Sequence, residues 1–407
     1  MQKVFIGIAL IVSLVFTTSP ITRAESTSTP IRLASFNMLT YRPNNDRTPT
    51  SWDAPDFRKN LIIKTIVDNN WDVAGLQEVS GAFRRNDNTF TLSQLEFVKN
   101  NLESAGYTLV NSEYDGCSAS WSTDPTTTYK PYNNPIVFKT AKYSMLGNGC
   151  FSISSEPTNL FKKDYGLPRP LIATWLKLED KTSHQQFYLF NSHLSYEDEF
   201  VGSDGNIGTA TPAERAAYSL QQARSLMNSV SRIASGSNLP VFLTGDYNAK
   251  DGSPTLTNGI LSSDFSDAYA LAENKAFDNN TRSSYNGFSL SRELSYGENR
   301  IDHIFASNGK NITINTYRIV STKYGNSYAS DHNAIQADAV IASSATPNPS
   351  GVPTGTNTRK STIKPPNTGA RVVQSTIPTI IIAIISITLL ATARKSSNTK
   401  DRTAKRR

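Results

Sequence analysis

The sequence predicts one α/β globular domain, from Ile31 to about Ile341, set between two non-globular ends. Three observations carry this reading. Runs of β-branched and aromatic residues alternate with stretches of helical period. After Ala342 the composition turns to Pro, Thr, Ser and Gly, and each end of the 407-residue chain carries an uncharged apolar segment. A chain of this length exceeds the prior for one small domain, but a single α/β or sandwich domain of about 250 residues or more is ordinary.

In chain order the strand-like pieces are Ile31–Phe36, Asp72–Leu76, Asn134–Phe138, Lys142–Gly147, Leu171–Leu178, Gln186–Ser192, Pro240–Gly245, Arg300–Ala306 and Ala334–Ile341. Their Val, Ile, Phe and Tyr content suits a pleated surface. Helical period is clearest in Asp56–Asn70 and in Pro212–Ala234. The second opens with Pro212 and carries Glu214 in its first turn, as helix starts favour. No internal repeat of fixed period is present.

The ends read as export and anchoring segments. Residues 1–24 have one Lys, an apolar run from Val4 to Phe16, and Thr22-Arg23-Ala24 with small residues at the first and third positions. That is the grammar of a signal peptide cleaved near Ala24. Residues 346–376 are poor in apolar side chains and read as an extended stalk. Ile377–Ala393 is 17 residues without a charge, and residues 394–407 hold seven basic side chains against one Asp. This predicts a C-terminal transmembrane helix at the short limit of length, with a basic cytoplasmic tail; a buried core helix is the alternative. Pro365–Gly369 (PPNTG) resembles the cell-wall sorting signal of Gram-positive-type bacteria. It has Pro365 where Leu is usual and seven residues between Gly369 and the apolar run. Either a sortase joins the chain to the cell wall or the helix anchors it in the membrane. In both cases the domain is expected on the extracellular face of the cell.

Charge and cysteines narrow the classes. The formal net charge is +7, but residues 25–345 hold 28 basic and 33 acidic side chains, net −5. Attraction to nucleic acid must then come from a local patch and not from the field of the whole domain. The two cysteines, Cys117 and Cys150, have no CxxC spacing or neighbouring His, which argues against a zinc site. In an exported chain one disulfide between them is expected, worth about 3–4 kcal/mol through loop entropy, with two free thiols as the alternative.

Polar residues recur where the apolar runs end. Asn37 closes the first; Glu78 follows the second; His193 follows FYLFNS; Asp246 and Asn248 follow PVFLTG; Asp302 lies in RIDHI; Asp331 and His332 precede the last. Strand ends share one rim of a sheet, where distant segments can build a site. Hard oxygen donors such as Glu78, Asp331 and the Asn37 amide suit Mg²⁺. A carboxylate beside a histidine orients the ring and raises its basicity. Asp246 and Asn248, two apart on a strand, would share a face. Each residue alone reads as a turn former or cap, so their joint order is the signal. His184, in a polar loop, is assigned nothing, and His303 alternates to the face opposite Asp302 and reads as structural.

The series SFN, LQEV, NSHLS, TGDYNA, RIDHIF and SDHNAI, over residues 31–342, resembles the endonuclease/exonuclease/phosphatase superfamily, which includes DNase I, exonuclease III and sphingomyelinases. The resemblance implies a DNase I-like four-layer α/β (α+β) sandwich of two packed mixed β-sheets flanked by helices. It also implies metal-dependent phosphoester hydrolysis with Mg²⁺, or Mn²⁺ or Ca²⁺ in its place. On this resemblance Glu78 is the main metal ligand, helped by Asn37 and Asp331. His332 acts at the scissile phosphate as base or electrostatic partner, oriented by Asp302. Asp246 positions or deprotonates the attacking water, Asn248 holds that water or a phosphate oxygen, and His193 contacts the phosphate or protonates the leaving oxygen. DNase-like members carry a glutamate before the strand that reads PIVF here, paired with the residue matching His193. This chain has Tyr132-Asn133-Asn134 there, which leaves His193 without that carboxylate partner and makes Tyr132 a candidate for a phosphate contact in its place; Arg169, in GLPRPLIATW, is a separate, weaker candidate for a phosphate contact.

Such folds share cleavage machinery and vary their loops. Export favours extracellular DNA as substrate for a monomeric nuclease. A sphingomyelinase-like phospholipid phosphodiesterase is the second reading, weakened by the polar GNSYAS where a lipid-inserting aromatic hairpin would be needed. A binding module that has lost catalysis is the third.

Overall fold

The elements follow in the order β1 (Thr29–Asn37), α1 (Arg58–Asp68), β2 (Val73–Gln77), β3 (Val79–Ser80), α2 (Gln94–Ser104), β4 (Tyr107–Val110), β5 (Tyr132–Asn133), β6 (Ile136–Lys139), β7 (Tyr143–Ser152), β8 (Ile172–Asp180) and β9 (Gln186–His193). Then come α3 (Pro212–Ala234), β10 (Val241–Asp246), a π-helical turn at Thr255–Ile260, β11 (Phe265–Asp267), α4 (Ala268–Leu271), β12 (Asn274–Phe277), β13 (Asp302–Ser307), β14 (Ile312–Val320), β15 (Lys323–Tyr324), β16 (Ser327–Tyr328) and β17 (Ala334–Ile341). This computed structural model describes residues 28–40, 58–80, 94–110, 132–153, 171–196, 203, 208–278, 281–289, 299–321, 323–325 and 327–342. The expected leader, stalk, PPNTG motif, apolar segment and basic tail lie outside them, as do Arg169 and Cys117. Among the described residues no helix is long and apolar enough to cross a membrane. Cys150 is disulfide-bonded.

Two mixed sheets form. One has seven strands in the order β12-β14-β17-β1-β2-β6-β4, the other six in the order β11-β13-β10-β9-β8-β7. Each is centred on a parallel pair joined by a helical crossover: β1 and β2 through α1, β9 and β10 through α3. Each pair is flanked by antiparallel neighbours, β17 and β6 in one sheet, β13 and β8 in the other. The repetition is topological, which is why no sequence period betrays it.

Period-two alternation sorts side chains into layers. Leu33, Val73, Leu189, Phe242 and Ile304 face the buried space between the sheets, with Leu176, Phe187, Ile335 and Ala337. Their chain neighbours Ala34, Ala74, Phe190, Leu243 and Phe305 face outward. Ala34 and Ala74 pack with Ile62 and Ile66 of α1 and Leu95, Val98 and Leu102 of α2. Phe190, Leu243 and Phe305 pack with Ala223, Leu226 and Val230 of α3. Helix, sheet, sheet and helix make four layers. Close approach of the sheets depends on Gly75, where an added Cβ would lie 2.2 Å from Thr244 Oγ1 and 2.4 Å from Asn191 Oδ1.

The nine strand-like pieces and both helices of the sequence reading form where expected. Missed among the longer elements were α2, β4 and β14, and among the shorter ones β11, β12, α4, the π-helical turn and the two-residue strands. The α2 signal, Leu95, Val98 and Leu102 at helical spacing, was present but short. That of β14 is an alternation, ITINTYRIV, whose outer face is polar.

Candidate active site

All the rim residues come to one edge. Asn37, His193 and Asp246 are the last residues of β1, β9 and β10, and Glu78 immediately follows β2. Asp302 opens β13, antiparallel to β10 and directly opposite Asp246, while Asp331 and His332 lead into β17, antiparallel to β1. The C-terminal ends of two parallel pairs and the starts of two antiparallel neighbours are therefore the same rim. His193 pairs with Asp246 across the β9–β10 ladder.

Asp246 is the hub. Its Oδ2 accepts from Asn37 Nδ2 at 2.9 Å and lies 3.5 Å from His193 Nε2 and 3.7 Å from His332 Nε2; its Oδ1 accepts from the Asn248 backbone N–H at 2.9 Å. His332 is held from behind, with Nδ1 2.9 Å from Asp302 Oδ2, and the Tyr285 ring meets its ring edge-on at 5.2 Å. The Asn37 amide also donates to Glu78 Oε1 at 3.1 Å, while Glu78 Oε2 accepts from the Thr40 N–H at 3.0 Å.

Two expectations need correction. Asn248 does not share a strand face with Asp246, because β10 has ended and Asn248 sits at φ 47° in the left-handed region. An Asx-type bond to Asp246 turns the chain there, and the Asn248 amide nitrogen reaches His193 Nε2 at 3.1 Å and the Leu194 carbonyl at 2.9 Å. Nor does His193 lack a carboxylate neighbour, since Asp246 supplies it. Asn134 is buried and donates to the Ile172 carbonyl. Tyr132 lies in β5 opposite Ser80.

Burial alone would raise the Glu78 pKa, but the charge on His193, the Thr40 N–H, the Asn37 amide and His332 outweigh it and hold the carboxyl below its usual value. Asp331 is pushed up, by burial and by repulsion from Glu78, against the pull of His332 and Arg58. His332 is raised well above an ordinary histidine: burial opposes this, but the carboxylates of Asp302 and Asp246 win. Glu78 and Leu39 also adopt positive φ, 59° and 53°, conformations that cost non-glycine residues energy and cluster at functional sites.

Several supporting residues escaped the sequence reading. Arg58 is fully buried at the start of α1 and donates to the Met38 carbonyl at 2.6 Å and to that of Leu39 at 3.1 Å. It pins the turn that brings Thr40 to Glu78. The loop Ser283–Gly287 does the same for the other two segments. Ser284 Oγ accepts from the Ile301 and Asp302 N–H groups, and the Asn286 and Gly287 N–H groups donate to the Asp331 carbonyl. Replacing Arg58 by Met should strand buried carbonyls and cost about 2–4 kcal/mol, read from urea unfolding; a loss under about 0.5 kcal/mol would discount the clamp.

Two clusters bring acids and a histidine within reach of one cation: Asp246, Asp302 and His332, and Asp251, Asp267 and His303. In the second the Arg300 guanidinium already bonds both carboxylates. In the first, the carboxylates of Asp302 and Asp246 favour the protonated form of His332, whose charge opposes a metal ion there. The donors suited to a hard divalent ion are the half-buried Glu78 and Asp331, whose charges repel each other without one. Asn37, expected as a ligand through its oxygen, instead turns Oδ1 to the Leu39 N–H at 3.0 Å and its nitrogen to the carboxylates.

A family profile described as Endonuclease/Exonuclease/phosphatase family matches residues 34–332. A solved structure of a protein of that family from Bacteroides thetaiotaomicron is 20% identical, with a TM-score of 0.55 over 77% of this chain and 99% of that one. A mannosyl-6-phosphatase from the same organism is 19% identical, with a TM-score of 0.53 over 76% and 100%. The catalytic domain of human nocturnin, solved with a bound sulfate anion, is 19% identical, with a TM-score of 0.50 over 77% and 97%. No curated protein matches the sequence.

Proposed function

Because the chain belongs to the endonuclease/exonuclease/phosphatase family and is a phosphoester hydrolase, we propose that it is an exported, surface-held, Mg²⁺-dependent nuclease that cleaves extracellular DNA. The observation that carries the chemistry is the convergence of His193 and His332 on one carboxylate oxygen of Asp246, beside Glu78. The choice of DNA rests on the leader and anchor segments, since DNA is a phosphodiester met outside cells.

In this reading Glu78 and Asp331 hold the cation, which when bound polarises a phosphoryl oxygen. Asp246 orients the attacking water and takes its proton, the N–H bonds from Asn37 and Asn248 keeping its oxygens aimed. His332 stays charged between Asp302 and Asp246, so it offsets negative charge growing on the phosphate and is not the base. On substrate binding the Asn248 amide exchanges its bond to His193 for one to a phosphate oxygen while keeping that to the Leu194 carbonyl, and the protonated His193, freed at Nε2, passes a proton to the leaving oxygen.

Residues 25–345 incubated with plasmid, linear DNA, RNA and sphingomyelin should nick plasmid with Mg²⁺ and not with chelator. Cleavage of sphingomyelin alone would replace the DNA assignment, and cleavage of none of the four would refute the proposal.

A further inference from the structure

The second acid–histidine cluster lies behind the site, not in it. Arg300 is 4% exposed, and its fork meets Asp267 through Nη1–Oδ1 (3.2 Å) and Nη2–Oδ2 (2.9 Å) and Asp251 through Nε–Oδ2 (3.2 Å) and Nη2–Oδ1 (2.5 Å). Its plane lies over the Tyr269 ring at 4.0 Å. His303 is fully buried, with Nδ1 3.2 Å from Asp267 Oδ2 and Nε2 3.0 Å from the Ala249 carbonyl. Arg300 stands two residues before Asp302, which opens β13, and His303 follows it; Ala249 follows Asn248, and Asp251 comes two residues later. The ladder between β10 and β13 ends at Asp246 and Asp302; beyond it the Tyr247 N–H donates to the Ile301 carbonyl, and the Arg300–Asp251 contact continues the pairing.

We propose that Arg300, His303 and Asp251 form a positioning clamp that fixes the Asn248 turn relative to Asp302, and that Asp251 acts on turnover through Asn248. A planar, stacked, doubly bidentate arginine is the geometry that holds two carboxylates at a set separation. Its placement explains why a fully buried His303 sits beside Asp302 without facing the reacting centre. The inference rests on Asn248 meeting the substrate phosphate.

Asp251 is the residue to change, because its side chain is 44% exposed and its loss leaves the buried Arg300–Asp267 pair whole. In the full-length protein, Asp251→Ala should lower kcat about 5–20-fold with KM within about twofold, on plasmid DNA and on bis(p-nitrophenyl) phosphate. Asp251→Glu should restore part of the loss, and the isosteric Asp251→Asn should reproduce it. In an Asn248→Ala background, Asp251→Ala should cost nothing further, whereas a merely structural contribution would multiply. Unchanged kcat in Asp251→Ala, or multiplying losses, overturns the clamp. Independently of turnover, the Asn248 side-chain amide signal in NMR should shift and broaden in Asp251→Ala, and an unmoved signal also overturns it. Wild-type protein inert on both substrates sinks the nuclease reading, while the amide signal still decides the clamp.

Discussion

His332→Ala is expected to lower kcat for phosphodiester cleavage by roughly 10²–10³-fold while KM changes little, because a charge placed for the transition state contributes on that scale. The ring does nothing that water could replace. It is buried, held 2.9 Å from Asp302, and aimed at the edge of Asp246 from which Asn37 reaches Glu78. Removing it also leaves two buried carboxylates without their cation. A pH series measured with chelator present should show this in stability. The folded-state pKa of His332 is raised by Asp302 and Asp246, so its contribution is complete below the unfolded value of about 6.5 and is lost as pH rises through the folded value. Urea midpoints of the wild type should fall across that window, and this component of the slope should vanish in His332→Ala. A variant within tenfold of wild-type kcat would remove His332 from the chemistry.

The rim residues were legible because each stands directly after an apolar run, and a strand end is a position the alternation of side chains defines. Asn37, Glu78, His193 and Asp246 needed nothing more. Their supports were less legible, because the contacts are tertiary. Ser284 holds Asp302 across 18 positions, and Asn286 reaches Ser330 across 44. Arg58 is likewise held by tertiary contacts, to the carbonyls of Met38 and Leu39 across 20 and 19 positions. The Asp246–Asn248 step misled for the opposite reason. Asn tolerates the left-handed region and bonds locally, so a strand can end between the two residues while the pattern of spacing stays the same.

Glu78→Gln is the second large effect, and it separates cation binding from folding. The substitution keeps size but removes a rim carboxylate held below its usual pKa, and it turns an amide nitrogen toward one of the two donors, Asn37 Nδ2 or the Thr40 N–H, that Glu78 accepts from. Glu78 is kept ionised against burial by His193, the Thr40 N–H and Asn37. Asp331 by contrast is pushed toward protonation by burial and by Glu78 itself. Glu78 is therefore the group that attracts the cation, and Asp331 becomes a ligand only once a cation offsets that repulsion. Losing Glu78 should cut Mg²⁺-dependent turnover by about 10³-fold or more, a loss that saturating Mg²⁺ does not restore. In the wild type, Mg²⁺ at 100 times its Kd should stabilise the fold by about 2.7 kcal/mol. In Glu78→Gln that increment should disappear. Because a carboxyl whose folded-state pKa is lowered contributes stability at neutral pH, the variant without metal should be less stable than the wild type without metal. A glutamine variant that still gains stability from Mg²⁺ would move the cation site away from Glu78.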